Sequence, residues 1–142
     1  MTIPAHISYC CKKINRIYSQ RLLEILEQKG FGDLRPSFLE ILAFVADHPG
    51  ATLKEIGQSC LLKKQTMTSH VNALVERGYL QKKAGLEDKR EQRVFFTDIG
   101  EKFKLNLLDA MDTLQEKYRS DIGEVELLRV QNSLESFLVK IH

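Results

Sequence analysis

The sequence predicts a mainly α-helical fold with one small β-hairpin and long helices at both ends. Three observations carry that expectation. Apolar residues recur at three- and four-residue steps along most of the 142 residues, the period of a helix with one covered face. Two short helical stretches adjoin each other around Leu61-Leu62-Lys63, and the run from Asp88 to Gly100 passes from a charged turn through a strand into a helix start.

Ile7, Cys10 or Cys11, Ile14, Ile17 or Tyr18, Leu22 and Ile25 place one apolar stripe on a helix from about Ala5 to Lys29. Gly30-Phe31-Gly32-Asp33 stops it. Pro36 suits a helix start, because the N–H it lacks would be unpaired there anyway. Phe38, Leu39, Leu42, Val45 and Ala46 then form a broad apolar face, closed by Asp47-His48-Pro49-Gly50.

Thr52 is an N-cap for a helix from Leu53 to Cys60, with Glu55 placed to reach back as in a capping box. A further helix runs from about Lys64 to Arg77, with Met67, Val71 and Leu74 inward and Gly78 as its cap. Two short helices joined by a tight turn form a helix-turn-helix. Leu80-Gln81-Lys82-Lys83 and Arg93-Val94-Phe95-Phe96 flank the turn Gly85 to Arg90 as strands of a hairpin, which makes the motif winged.

Thr97 or Asp98 opens the next helix, the latter with Glu101 as a capping-box partner. Ile99, Phe103, Leu107, Met111, Leu114 and Tyr118 hold its stripe. The last helix, Glu124 to Ile141, carries Val125, Leu128, Leu134, Phe137, Leu138 and Ile141. The expected organisation is one compact domain in three parts: an N-terminal dimerisation helix in 1–34, a winged helix-turn-helix DNA-binding lobe in 35–97, and C-terminal dimerisation helices in 98–142.

Composition narrows the function classes. Hydrophobic residues at 43% with 28% charged belong to a globular protein, and no apolar run of membrane-spanning or signal-peptide kind is present. A cytoplasmic protein without a membrane partner is expected. Cys10, Cys11 and Cys60 form neither a disulfide framework nor a metal-ligand spacing. His6, His48, His70 and His142 are scattered, and no phosphate loop, nucleophile elbow or zinc motif occurs. Neither an enzyme nor a metal or cofactor is expected.

Net charge is +2, but Lys63 to Arg93 alone holds eight basic and four acidic residues, 8 − 4 = +4, against −2 for the remainder. Positive charge concentrated on one element is the electrostatic footprint of a nucleic-acid reader. With Met67, Val71 and Leu74 inward, helical spacing turns Lys64, Gln65, Thr66, Thr68, Ser69 and Asn72 outward as candidate DNA contacts. Gln65 and Asn72 can pair bidentately with adenine, Thr68 and Ser69 take either polarity or a phosphate, and Lys64 suits guanine or phosphate. His70 is expected to pack against the wing or a neighbouring helix.

In the wing, Arg90 is the candidate for the minor groove, and Lys82, Lys83, Lys89 and Arg93 are candidates for phosphates. Asp88 is included as the carboxylate that orients a nearby arginine.

Asp88-x-Arg90-x-x-Arg93 followed by Phe96-Thr97-x-x-Gly100 resembles the wing signature of the MarR family of bacterial transcription regulators, with Phe96 where a leucine is usual. Leu74-Val75-Glu76-Arg77-Gly78-Tyr79-Leu80 is similar to that family's passage from recognition helix to wing. The resemblance extends over nearly the whole chain. It implies a homodimer with interleaved terminal helices, a palindromic double-stranded DNA operator with half-sites about one helical turn apart, and a repressor relieved by a small molecule bound between dimer helices and lobe. Ser69 and Ala73 stand where the family often has arginine, and Lys63 where it has a small capping residue.

Two other readings stand beside this one. Cys10 lies 26 residues before Pro36, a spacing similar to that of organic-peroxide sensors in the family, although the matching tyrosine positions fall near Glu24 and Arg35. In that reading Cys10 or Cys11 is the redox site, and otherwise they are inert interface cysteines; Cys60 is expected in the core. Alternatively, the winged helix serves as an adaptor that binds protein instead of DNA.

Overall fold

The computed structural model describes residues 2–142. After a 3-10 turn at Ile3–Ala5 come α1 (Ile7–Gln28), α2 (Pro36–Asp47), β1 (Ala51–Thr52), α3 (Leu53–Ser59), α4 (Lys64–Glu76), β2 (Leu80–Ala84), β3 (Gln92–Phe96), α5 (Asp98–Ile122) and α6 (Glu124–Ile141). Every expected helix is present, and the hairpin pairs Lys82 with Val94 and Lys83 with Arg93.

The wing is larger than a hairpin. β1 pairs with β3, Ala51 opposite Val94 and Thr52 opposite Arg93, giving an antiparallel sheet in the order β1-β3-β2. A two-residue strand has no alternation to reveal it, so periodicity could not mark it. It anchors the wing to the start of α3.

Both helix starts around the sheet are capped by threonine. Thr52 Oγ1 accepts from the Glu55 N–H at 3.1 Å and donates to the Glu55 carboxylate at 3.1 Å, so Glu55 returns to the threonine hydroxyl and not to its backbone N–H. Of the two candidates for α5, Thr97 is the cap: its Oγ1 accepts from Gly100 N–H at 3.1 Å, and Asp98 is the first helical residue. Thr97 N–H also donates to the Tyr79 carbonyl at 3.1 Å, and its hydroxyl donates to the Gly78 carbonyl. A Cβ on Gly100 would lie 2.2 Å from the Tyr79 carbonyl oxygen, so the Thr97-x-x-Gly100 spacing lets α5 start directly against the entrance of β2.

One core unites these elements. Leu22 and Leu26 of α1, Phe38, Ile41, Leu42 and Val45 of α2, Ile56 of α3, Met67, Val71 and Leu74 of α4, Val94 of β3, and Phe103, Leu107, Ala110 and Leu114 of α5 pack together. The α5 stripe differs from the expected one. Its buried line runs through Ala110, whereas Ile99 and Met111 are exposed. Steps of four, three and four residues keep Phe103, Leu107, Ala110 and Leu114 on one side of the helix and rotate Met111 off it.

The terminal helices are left largely uncovered. Leu127 is the one buried residue of α6, while Val125 is 73% and Leu138 62% exposed. Ile7, Ile14 and Ile17 of α1 and Leu105 and Leu108 of α5 are also exposed.

Candidate nucleic-acid interface

The burial of Met67, Val71 and Leu74 fixes the rotation of α4 about its axis. Lys64, Gln65, Thr66, Ser69 and Asn72 are consequently exposed and Thr68 half-buried. Lys64, Gln65, Thr68, Ser69 and Asn72 line one open groove, which continues to Ala73 and Glu76. Glu76 was not foreseen, and it places a carboxylate at the far end of this groove. At the near end, Lys63 is the N-cap without a side-chain cap bond, and no acidic residue occupies the first turn. The positive end of the α4 dipole is therefore left without a side-chain cap or a neutralising carboxylate of its own first turn.

The wing brings its candidates beside this groove. Lys82 Nζ donates to Asn72 Oδ1, a tie from β2 to the end of the polar face of α4. Lys83 Nζ lies 5.2 Å from the centre of the Phe95 ring, within cation–π range. The tip is held by Gly85 N–H to Glu91 O at 2.8 Å and Glu91 N–H to Asp88 O at 3.1 Å. A Cβ on Gly85 would stand 2.6 Å from the Asp88 carbonyl oxygen, so the turn closes only over glycine.

Asp88 Oδ1 accepts from the Arg90 backbone N–H at 3.0 Å and lies 3.4 Å from Arg90 Nε. The Arg90 side chain remains 94% exposed. Lys89 is exposed next to it. Arg93 differs from the other wing cations: Nη1 donates to the Gly50 carbonyl at 2.9 Å and Nη2 meets Glu91 at 2.7 Å. It braces the β1 turn against β3, so its charge is partly engaged within the protein.

Beside the polar face of α4, His70 packs against a neighbouring helix as expected, within a wider cluster of Asp33, Arg35, Arg77 and Tyr79 that sequence reasoning missed. His70 packs edge-on to Phe38 with ring centres 5.0 Å apart, and Arg35 and Arg77 lie 4.4 and 4.9 Å from the same ring. Arg77 donates to the Asp33 carbonyl, and Tyr79 Oη donates to Asp33 Oδ1 at 2.8 Å. Desolvation and then the charge of Arg35 hold the His70 imidazole below its ordinary pKa. Burial, followed by the bond to Asp33, raises the Tyr79 phenol. The cluster ties the α1–α2 connection to the back of α4 and the start of β2. The local signal was thin: Asp33 and its partners are 44 and 46 residues apart.

A separate cavity of about 420 Å³ opens where α1, α2 and α5 meet, with Tyr18, Leu22, Pro36, Glu40, Leu107 and Met111 among its walls. Cys10 and Cys11 are exposed near the start of α1, with Cys10 Sγ 3.8 Å from the Pro4 carbonyl. The nearby tyrosines have other partners, Tyr9 with Lys13 and Tyr18 with the Tyr118 ring. Cys60 is core, as expected, and burial with the neighbouring Glu40 charge pushes its thiol up to about 11. Among the described residues no group of side chains is arranged to hold a metal, and no helix is long and apolar enough to cross a membrane.

Residues 33–91, which span the α1–α2 connection through the wing tip, match the sequence profile of the MarR family. Among solved structures, a MarR transcriptional regulator from Methanosarcina mazei Go1 is similar with TM-score 0.81 at 19% identity, over 96% of this chain and 98% of that one. Streptococcus pneumoniae FabT, solved in complex with DNA, gives TM-score 0.73 at 17% identity, over 96% and 100%. The PcaV transcriptional regulator of Streptomyces coelicolor, solved with its natural ligand, gives 0.72 at 14% identity, over 100% and 98%. No curated protein matches the chain in sequence.

Proposed function

We propose that this chain, whose residues 33–91 match the MarR family profile, is a homodimeric, sequence-specific DNA-binding regulator of that family that represses transcription by occupying a palindromic operator. The observation that carries this reading is the juxtaposition of two surfaces. The polar groove of α4 from Lys64 to Asn72 and the uncovered Arg90 of the wing stand on one core-locked lobe, with Lys82 bonded to Asn72 between them. A helix of that polarity fits the major groove, and an arginine on a projecting turn fits the adjacent minor groove.

The parts divide the work. Residues 35–97 read DNA, and α1, α5 and α6, within 1–34 and 98–142, pair with a second copy. Exposed apolar side chains on all three helices support that pairing, since contiguous patches of this kind mark interfaces. Lys64, Gln65, Thr66, Thr68, Ser69 and Asn72 are assigned to the major groove, Arg90 to the minor groove, and Lys82, Lys83, Lys89 and Arg93 to phosphates, with Asp88 orienting Arg90. Because α4 offers no arginine at Ser69 or Ala73, the wing contributes a larger share of affinity.

The cavity between α1, α2 and α5 supports a small amphipathic effector: it has apolar walls in Leu22, Leu107 and Met111 and polar groups in Tyr18 and Glu40. A ligand there bears on helices of both functions and so shifts the spacing of the two lobes. The reading is of a cytoplasmic binding protein, not an enzyme. Selection from a random duplex pool tests it. Enrichment of an inverted repeat with half-sites about one helical turn apart is expected, and a pool that enriches no sequence contradicts it.

A further inference from the structure

Within the lobe, two large apolar side chains are exposed: Leu86 at the wing tip, 99%, and Leu61 in the turn between α3 and α4, 90%. Leu61 is the more informative, because its backbone is also unusual. At φ +53° it is the one described non-glycine residue in the left-handed region, which L side chains adopt at a steric cost.

The local hydrogen bonding explains why the turn needs that conformation. The Leu62 N–H bonds to the Gly57 carbonyl at 3.0 Å and the Cys60 N–H to the Ile56 carbonyl at 2.9 Å. This is a Schellman-type end to α3, in which the residue after the cap must turn left-handed and is usually glycine. Leu62 then packs against the core. Leu61 is thereby turned outward, so this position combines a strained backbone with an uncovered apolar side chain and no packing within the chain in return. A strained residue that the fold does not require points to a role outside the fold.

Its neighbours indicate the role. Leu61, Lys64 and Thr68 share one concave surface beside Met67, and Lys64 and Thr68 also line the reading groove. Leu61 therefore borders the N-terminal end of α4, the end where base contacts of a recognition helix concentrate. An aliphatic side chain has one specific partner on a base edge in the major groove, the C5-methyl of thymine.

We propose that Leu61 is a specificity residue that reads a thymine methyl group in each operator half-site. The inference rests on the DNA-binding reading above. The test uses the full chain and the operator recovered from the duplex pool, with each thymine of the half-site replaced in turn by deoxyuridine, which removes the methyl and keeps every hydrogen-bonding group. One replacement, made in both half-sites, is expected to weaken binding by roughly four- to fifteenfold, the upper end being the scale of two fully buried methyl contacts.

Leu61→Gly is expected to weaken binding to the unmodified operator by a similar factor and to bind the thymine and deoxyuridine operators equally. The same variant should melt higher, since glycine adopts the left-handed conformation freely. That separates its binding loss from a folding defect, and Leu61→Asn, which also tolerates this conformation, serves as a second variant. The proposal is overturned if no single deoxyuridine weakens the unaltered protein, or if Leu61→Gly loses affinity for all duplexes alike while keeping full sensitivity to the methyl. A pool that enriches nothing removes the DNA-binding reading as well, whereas an enriched operator indifferent to its thymine methyls removes only this one.

Discussion

The lobe and the terminal helices handle apolar surface in opposite ways. In residues 35–97 every large apolar side chain other than Leu61 and Leu86 is buried or partly covered, whereas α1, α5 and α6 expose Ile7, Ile14, Leu105, Leu108, Val125, Leu138 and others. The lobe leaves little of its apolar surface wet, with α1 and α5 closing part of its core. The helices present a long surface that a single chain leaves wet, although α1 and α5 each also supply residues to the common core. The contrast matches the two tasks proposed above: a lobe that reads DNA, and helices that pair with a second copy.

The largest expected effect breaks the spacer. Leu134→Glu with Phe137→Glu should convert the dimer to monomer by size-exclusion chromatography and lower operator affinity by about 100-fold or more, because two lobes then bind independently. A dimer that persists with full affinity would place the interface elsewhere. On the lobe side, Phe38→Ala removes a fully buried ring that supports His70, Arg35 and Arg77. It should lower unfolding free energy by ~3–5 kcal/mol in denaturant titrations, and a loss near zero would remove Phe38 as the support of α4.

Arg90→Ala is subtler and should leave both folding and dimerisation intact. A loss of about 1–3 kcal/mol in operator affinity is expected in a gel-shift titration at moderate salt; unchanged binding would remove the minor-groove assignment. The smallest effect is a pH dependence at His70. Its imidazole is held below the ordinary value of 6.5 by desolvation and Arg35, so the folded state favours the neutral ring. The corresponding stability is complete above the unfolded value and is lost as pH falls below it toward the lowered folded value. Melting curves across that range should show the decline, and His70→Gln should flatten it; an unchanged slope would exclude His70 as its source.

The helices and the polar face of α4 were legible because burial follows a fixed period: once Met67, Val71 and Leu74 are inside, Lys64, Gln65, Ser69 and Asn72 must be outside. The wing was legible through its charged turn and short flanking strands. β1 was not, because two residues have no period. The α5 line through Ala110 was hidden because a small side chain adds little to an apolar pattern, and Met111 drew attention to the adjacent face. The Asp33, Arg35, Phe38, His70 and Arg77 cluster depends on contacts between distant segments. So does the bracing of Gly50 by Arg93, across 43 residues, which turned an expected phosphate ligand partly inward. Local sequence also does not assign a conformation to Leu61, which is set by how α3 ends and α4 begins.

Pairing of two copies through α1, α5 and α6 is tested most directly by sedimentation equilibrium of the unaltered protein without DNA. Twice the mass of one chain is expected throughout the micromolar range. A species with the mass of a single chain across that range would contradict it.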